Sequence, residues 1–223
     1  MKRRHRMNNY KLIIFDLDGT LADTSPGILN SIRYAQKMMH LPEITLEQMY
    51  SHVGPPMDES YARNFGLSGD RLRQAVEYHK EYAVKQGYKE IELYPHITDL
   101  LDKLKAQGKH TAVATLKAHQ TAVKIFDTFG LSDKFDIVTG VDTKAPKTKA
   151  QLLEYCLEKS GCDKSQAVLI GDSKYDAIGA KEAGIDFIAV TYGFGFKTEE
   201  DAKEFPCCAV CEDVMQIEKF LCE

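Results

Sequence analysis

Lys11-Leu12-Ile13-Ile14-Phe15-Asp16-Leu17-Asp18-Gly19-Thr20-Leu21 is the stretch on which the reading of this chain turns. Leu12 to Phe15 are apolar, with β-branched and aromatic types among them, and read as a short strand buried in a parallel sheet. The run ends abruptly in two carboxylates and a glycine. Ligands of open α/β sheets bind beyond the carboxyl ends of the strands, so chemistry is expected here. Residues two apart on an extended chain point the same way, and Asp16 and Asp18 face one site if the strand persists that far. Two adjacent anions are stable there only with a cation or a shared proton. Taken alone, the stretch also reads as a strand followed by an ordinary Asp-Gly turn.

Downstream, the chain first turns helical. Ser25 and Pro26 start a helix as N-cap and first helical residue, with Ile28, Leu29, Ile32, Ala35 and Met39 on one face. Thr45-Leu46-Glu47-Gln48 is a capping box. The turn-forming loop His52-Val53-Gly54-Pro55-Pro56-Met57 precedes a helix near Asp58 to Phe65, and another helix is expected from about Asp70 to Gln86. No strand signal interrupts Asp23 to Ile91, so the block is expected to be a small bundle. Beyond Tyr94-Pro95, helices alternate with strands at His110–Thr115, Phe135–Val138, Ala167–Ile170 and Asp186–Val190. That alternation implies a doubly wound parallel sheet with helices on both faces. The opening strand must join this sheet, which makes the helical block an insertion. The expected division is a basic tail over 1–8, an α/β core over 9–22 and 92–223, and a helical domain over 23–91.

Composition places the chain among ordinary globular proteins. Its 223 residues are 43% hydrophobic and 28% charged, enough to bury a sizeable core. A net charge of −4 gives no general attraction to nucleic acid or anionic membranes. No apolar run approaches the roughly 18 residues of a membrane helix. The start, Met1-Lys2-Arg3-Arg4-His5-Arg6, lacks the apolar segment of a secretory signal, and a cytoplasmic location is expected. Cys208 and Cys211 form a CxxC pair that Cys207 and Cys222 could complete as four zinc ligands. Cys207-Cys208-Ala209-Val210-Cys211 instead reads as a short strand leading to a helix capped by Asp213, with the cysteines as reduced structural thiols.

A second acidic strand end repeats the opening pattern. Ala167 to Ile170 runs into Gly171-Asp172-Ser173-Lys174-Tyr175-Asp176, and a helical turn there would bring Asp172 and Asp176 to one side. With Asp16 and Asp18, this fold could gather four carboxylates at one sheet edge. Their hard oxygens, with room for water and a phosphate, suit Mg²⁺. Positive groups lie near other strand ends: Thr115-Leu116-Lys117 closes one strand, and Lys144, Lys147 and Lys149 precede or open the next helix, capped by Thr148 with Gln151. A lysine in a first helical turn opposes the macrodipole, and a nearby anion would rationalise it.

These residues resemble the haloacid dehalogenase superfamily, in its phosphoglycolate-phosphatase-like branch, from about Asn9 to Leu221. Phe15-Asp16-Leu17-Asp18-Gly19-Thr20-Leu21 resembles the family's first motif and Gly171 to Asp176 its acidic fourth motif. Tyr94-Pro95, Thr115 and Val190-Thr191-Tyr192-Gly193-Phe194-Gly195 also fit the branch. The helical insertion corresponds to a cap domain, with Gly54-Pro55-Pro56 as a cap loop facing the active site. The resemblance implies a Mg²⁺-dependent phosphatase for a small phosphorylated metabolite. Asp16 would be the nucleophile, forming an aspartyl-phosphate. Asp18 would be general acid and then general base. Mg²⁺ would be held by the Asp16 carboxylate, the Asp18 backbone carbonyl and Asp172, with Asp176 in support. Thr115 would hydrogen-bond the phosphoryl group and Lys149 (alternatively Lys147) would neutralise it. Leu116 stands where the family often has asparagine. The competing functional readings are a phosphosugar mutase and a non-catalytic binder of phosphorylated ligands.

Overall fold

Alternation along Leu12–Phe15 sends Leu12 and Ile14 to one face of a sheet and Ile13 and Phe15 to the other, and all four are fully buried. The computed structural model describes residues 10–142, 145 and 147–222, so the basic segment 1–8 and Lys144 lie outside it. In chain order the strands are β1 (Leu12–Phe15), β2 (Ala22–Asp23), β3 (Glu92–Leu93), β4 (His110–Ala118), β5 (Ile137–Val141), β6 (Ala167–Gly171), β7 (Asp186–Val190) and β8 (Ala209–Cys211). The helices are α1 (Ser25–Met39), α2 (Leu46–Tyr50), α3 (Met57–Phe65), α4 (Gly69–Lys85), α5 (Ile97–Ala106), α6 (His119–Thr128), α7 (Lys149–Ser160), α8 (Lys174–Ala183), α9 (Glu199–Lys203) and α10 (Val214–Cys222).

Six strands form one sheet in the order β5-β4-β1-β6-β7-β8, every neighbouring pair parallel. The doubly wound arrangement expected from the alternating pattern is present. Leu100, Leu101 and Leu104 of α5, Ile125 and Phe126 of α6, and Ile217 and Leu221 of α10 cover one face. Leu152, Leu153 and Cys156 of α7, Ala177 and Ala180 of α8, and Ala202 of α9 cover the other. The strand order reverses between β1 and β6, and the crevice outside such a switch point is where ligands of this architecture bind.

Helices α1 to α4 lie between β2 and β3, and their own apolar clusters hold them together. Ile28, Leu29, Ile32, Met49 and Val53 form one, and Ala35, Tyr61, Leu67 and Ala75 another. The two chain crossings between this helical lobe and the sheet are tied to each other, because β2 and β3 pair antiparallel through Ala22–Leu93 and Asp23–Glu92. These two-residue strands are too short to carry a periodic signal, and the sequence reading has none there. A second departure concerns β5, which begins at Ile137 rather than Phe135. Phe135 instead packs its ring against Phe126 at 5.1 Å and Phe15 at 6.3 Å, and the strand runs on through Gly140. The third is α1. Its N-cap is Thr24 rather than Ser25, and the Asp23 carboxylate accepts the Ser25 N–H at 2.9 Å.

The cysteines are free thiols: Cys156 and Cys211 are buried, Cys162, Cys207 and Cys222 half-buried, and Cys208 exposed. Among the described residues no helix is long and apolar enough to cross a membrane.

Candidate active site

The carboxyl ends of β1 and β6 lie side by side. Phe15 pairs with Ile170, and the Asp16 N–H continues the ladder to the Ile170 carbonyl at 2.9 Å. Asp16 and Asp18 therefore emerge next to Gly171 and Asp172. Gly171 is a forced choice, since a Cβ there would lie 2.4 Å from the Asp176 carboxyl carbon. Asp172 precedes α8 and Asp176 lies in its first turn. The result is a group of carboxylates from Asp16, Asp172 and Asp176 whose oxygens all lie within 4.8 Å of one another. All three are buried, as is Asp18.

Each acid has a defined set of partners. Lys149, the first residue of α7, places its Nζ 2.7 Å from Asp16 Oδ1, 2.6 Å from Asp176 Oδ1 and 2.7 Å from the Ala114 carbonyl. Its stem needs the missing side chain of Gly179, where a Cβ would be 2.5 Å from Lys149 Cγ. Asp176 Oδ2 accepts the Ser173 hydroxyl at 2.6 Å and the Ser173 N–H at 3.1 Å. Asp172 Oδ2 accepts the N–H groups of Phe194 and Gly195 at 2.6 and 3.0 Å. Gly19 and Gly193 give that loop its approach, since a Cβ on either would come within 2.5 Å of Asp172 Oδ2. Asp18 Oδ1 accepts from the Thr24 hydroxyl and from Lys117 Nζ, the latter at 2.9 Å.

The electrostatics show excess negative charge. Burial, opposed by Lys149 and aided by Asp176 and Asp18, pushes the Asp16 carboxyl up to about 8. Burial likewise pushes Asp172 up to about 7, with Asp176 adding and the Gly195 and Phe194 N–H groups opposing. Burial alone would lower the Lys149 pKa, but Asp16 and Asp176 outweigh it and hold the ammonium above its ordinary value. With all four carboxyl groups ionised, only Lys149 and Lys117 among the described residues form ion pairs with them, leaving about two net negative charges in a buried place. Hard oxygen donors and that surplus fit a small divalent cation.

Thr115 is buried at the end of the regular part of β4 and lines the same cavity as Asp16, Asp18, Leu116, Lys149 and Asp176. Gly54 of the helical lobe closes the cavity from the other side. What remains is about 10 Å³, room for one water molecule. Tyr175 of α8 also reaches the lobe, donating its hydroxyl to Glu59 at 3.3 Å.

Of the two lysines left open by the sequence, Lys149 is at the carboxylates. Lys147 lies with its Nζ 4.9 Å from the centre of the Tyr155 ring, lining a separate groove between α4 and β5. Asp16, Asp18, Thr115, Lys149 and Asp172 are thus brought together. Asp176 joins Asp16 and Asp172 in the carboxylate group, whereas the Asp18 side chain turns to Thr24 and Lys117. Sequence reasoning had no role for Thr24, none for the Phe194 and Gly195 amides, and no partner for Lys117.

Residues 13–190 match the haloacid dehalogenase-like hydrolase family. A 5′-nucleotidase of Pseudomonas aeruginosa is 29% identical over 213 residues, covering 95% of this chain and 96% of that protein. A phosphoglycolate phosphatase of Aliivibrio fischeri is 33% identical over 193 residues, covering 82% of this chain and 85% of that one. Among solved structures, Protein Tyrosine Kinase A (PtkA) of Mycobacterium tuberculosis superposes with a TM-score of 0.81 at 29% identity, over 96% of this chain and 99% of that one.

Proposed function

The chain belongs to the haloacid dehalogenase-like hydrolases, and from that premise we propose that it is a Mg²⁺-dependent phosphatase for a small phosphomonoester, with Asp16 as nucleophile. The observation that carries this reading is the buried Asp16–Lys149–Asp176 arrangement with Asp172 and Asp18 beside it. The names of the three relatives share a phosphoryl group and differ in what carries it, and the proposal rests on that shared chemistry.

Asp16, Asp172 and the Asp18 backbone would hold the metal, with Asp176 in support. When bound, Mg²⁺ supplies positive charge that lets an anionic nucleophile and an anionic phosphate approach. The protein's own groups do the rest. Asp16 attacks phosphorus through a carboxylate oxygen, forming an acyl phosphate as the bond to the leaving oxygen breaks. Lys149, already on Asp16 Oδ1, orients that carboxylate and offsets charge on the phosphoryl oxygens, as a fixed ammonium in a buried site can. The Thr115 hydroxyl supplies a hydrogen bond to one of those oxygens. Asp18 gives its proton to the leaving oxygen, then takes one from the water that cleaves the acyl phosphate. Phosphoryl transfer asks mainly for positioning and charge compensation, which these groups provide.

A cavity of about 10 Å³ has no room for a phosphate ester, so the helical lobe carrying Gly54 must move aside to admit substrate and return to exclude water. The leaving group would then lie against Gly54 and Leu116. Leu116 offers that group an apolar wall where related proteins often place an amide.

Hydrolysis of 4-nitrophenyl phosphate tests the reading. Activity should require Mg²⁺, and Asp16→Asn should lower kcat by at least about 10³-fold, as removal of a nucleophile does elsewhere. Near wild-type turnover by Asp16→Asn would exclude it as the nucleophile.

A further inference from the structure

Lys117 has no part in the roles above, yet the fold is built to aim it. Strand β4 shifts register against β5 between Thr115 and Ala118, the kind of irregularity that redirects side chains beside active sites. Two features hold it. The Lys117 N–H folds back onto Thr115 Oγ1 at 3.2 Å. Gly140 of β5 presents no side chain, and a Cβ there would stand 2.6 Å from the Lys117 carbonyl oxygen and 2.9 Å from His119 Cα. So directed, the Lys117 side chain is 13% exposed and its Nζ lies 2.9 Å from Asp18 Oδ1. The Thr24 hydroxyl meets the same oxygen from the start of α1. Two donors on Oδ1 fix the carboxylate plane and leave Oδ2 to handle a proton. The pair is largely out of solvent, the Asp18 side chain being 11% exposed, and the buried His79 of the helical lobe is near enough to feel the ammonium charge.

We propose that Lys117 is a positioning residue for Asp18, holding the carboxyl group that exchanges a proton with the leaving oxygen rather than holding the phosphoryl group. The inference rests on Asp18 acting as the proton donor. As the P–O bond to the leaving group breaks and the bond to Asp16 forms, the Asp18 proton passes to the leaving oxygen. Asp18 becomes a carboxylate, and Lys117 and Thr24 stabilise the charge that appears on it. A poor leaving group needs that proton and a good one does not. Lys117 is therefore important in proportion to the basicity of the leaving oxygen.

Two substrates of similar size separate this role from phosphate binding: 4-nitrophenyl phosphate, with a good leaving group, and phenyl phosphate, with a poorer one. Lys117→Met should lower kcat/KM for phenyl phosphate about 10- to 100-fold, within the range of general acid catalysis, and for 4-nitrophenyl phosphate less than about 3-fold. The inhibition constant of inorganic phosphate should stay within about 3-fold of wild type, and Lys117→Arg should recover much of the phenyl phosphate activity. Equal losses on the two substrates overturn the proposal, as does weakened inhibition by phosphate. Thr24→Val removes the other donor to Oδ1 and should show the same bias at smaller size; a uniform loss there overturns the proposal even should Lys117→Met fail to fold. Asp18→Asn, measured alongside, identifies the source of a failure. If it shows no leaving-group bias, the role of Asp18 falls and the proposal with it; if it shows the bias and Lys117→Met does not, only Lys117 has been misassigned.

Discussion

At the residue scale, Lys149 is the charge on which the site depends. A lysine buried to 5% exposure is tolerable only because two carboxylates and a carbonyl surround its ammonium. Removing one member of a buried ion pair costs roughly 3–5 kcal/mol, since the charges left behind have no partner. Lys149→Met is therefore expected to lose at least about 10²-fold in activity and to unfold at lower temperature. Lys147→Ala should change either by little, because its contact with the Tyr155 ring is worth only about 0.5–1 kcal/mol at an exposed site. Activity assays and thermal unfolding of the two variants check this, and equal small losses in both would remove Lys149 from the mechanism. The sequence could not choose between the two lysines, as both stand near the Thr148 cap. What separates them is tertiary: the first turn of α7 packs on α8 at Gly179 and on the end of β1, neither of which is near in the chain.

At the scale of elements, the longer helices were the most legible part, because they carry apolar stripes, and Thr45–Gln48 and Thr148–Gln151 both form the capping boxes their spacing announces. The pieces that escaped were those whose cause is non-local, namely the two-residue ribbon β2–β3 and the shift in β4 that aims Lys117. The inside of the helical lobe was equally hidden. His79, an apolar-face residue of α4 by spacing, lies buried with its Nδ1 3.1 Å from the Tyr61 hydroxyl. Burial, with the charges of Lys117, His52 and Lys80 adding to it, lowers its pKa to about 3. The sign of the consequence follows by linkage. In the unfolded chain the ring protonates near 6.5 and in the folded lobe only near 3, so between those values the unfolded state binds more protons. The stability that neutral His79 confers is complete above about pH 6.5 and is lost as the pH falls toward 3, by up to about 1.4 kcal/mol per pH unit. His79→Gln, which keeps an acceptor for Tyr61 but cannot take up a proton, should be less stable than wild type at pH 7 and gain on it as the solution is acidified. Urea unfolding of both proteins at pH 7, 6 and 5 measures this; a stability difference that does not change with pH would show that His79 is not buried in its neutral form.

At the scale of the whole molecule, the fold solves a problem that it also creates. Placing β1 beside β6 at the switch point of the sheet gathers carboxylates from segments more than a hundred and fifty residues apart in the chain, and the repeat of one motif, an apolar strand running into acids, made that meeting readable beforehand. The balance of charge was not readable, because it depends on which lysines reach the cluster. Among the described residues two do, against four carboxylates, and burial has already raised Asp16 and Asp172. A protein so built stores electrostatic repulsion that a divalent cation relieves, and a ligand that binds only the folded state stabilises it by mass action. At a Mg²⁺ concentration one hundred times its dissociation constant the gain is about 2.7 kcal/mol, which for a chain of this size raises Tm by about 5–10 °C. Asp172→Asn should abolish most of that rise while leaving the metal-free protein as stable as wild type or more so, since it removes one of the repelling charges, although an amide placed toward the Phe194 and Gly195 N–H groups must present its oxygen to keep their hydrogen bonds. Thermal unfolding with and without Mg²⁺ reads both effects without any assay of activity. An identical rise in the variant would place the cation elsewhere on the protein, and no rise in the wild type at millimolar Mg²⁺ would mean that the surplus charge is met by protons instead.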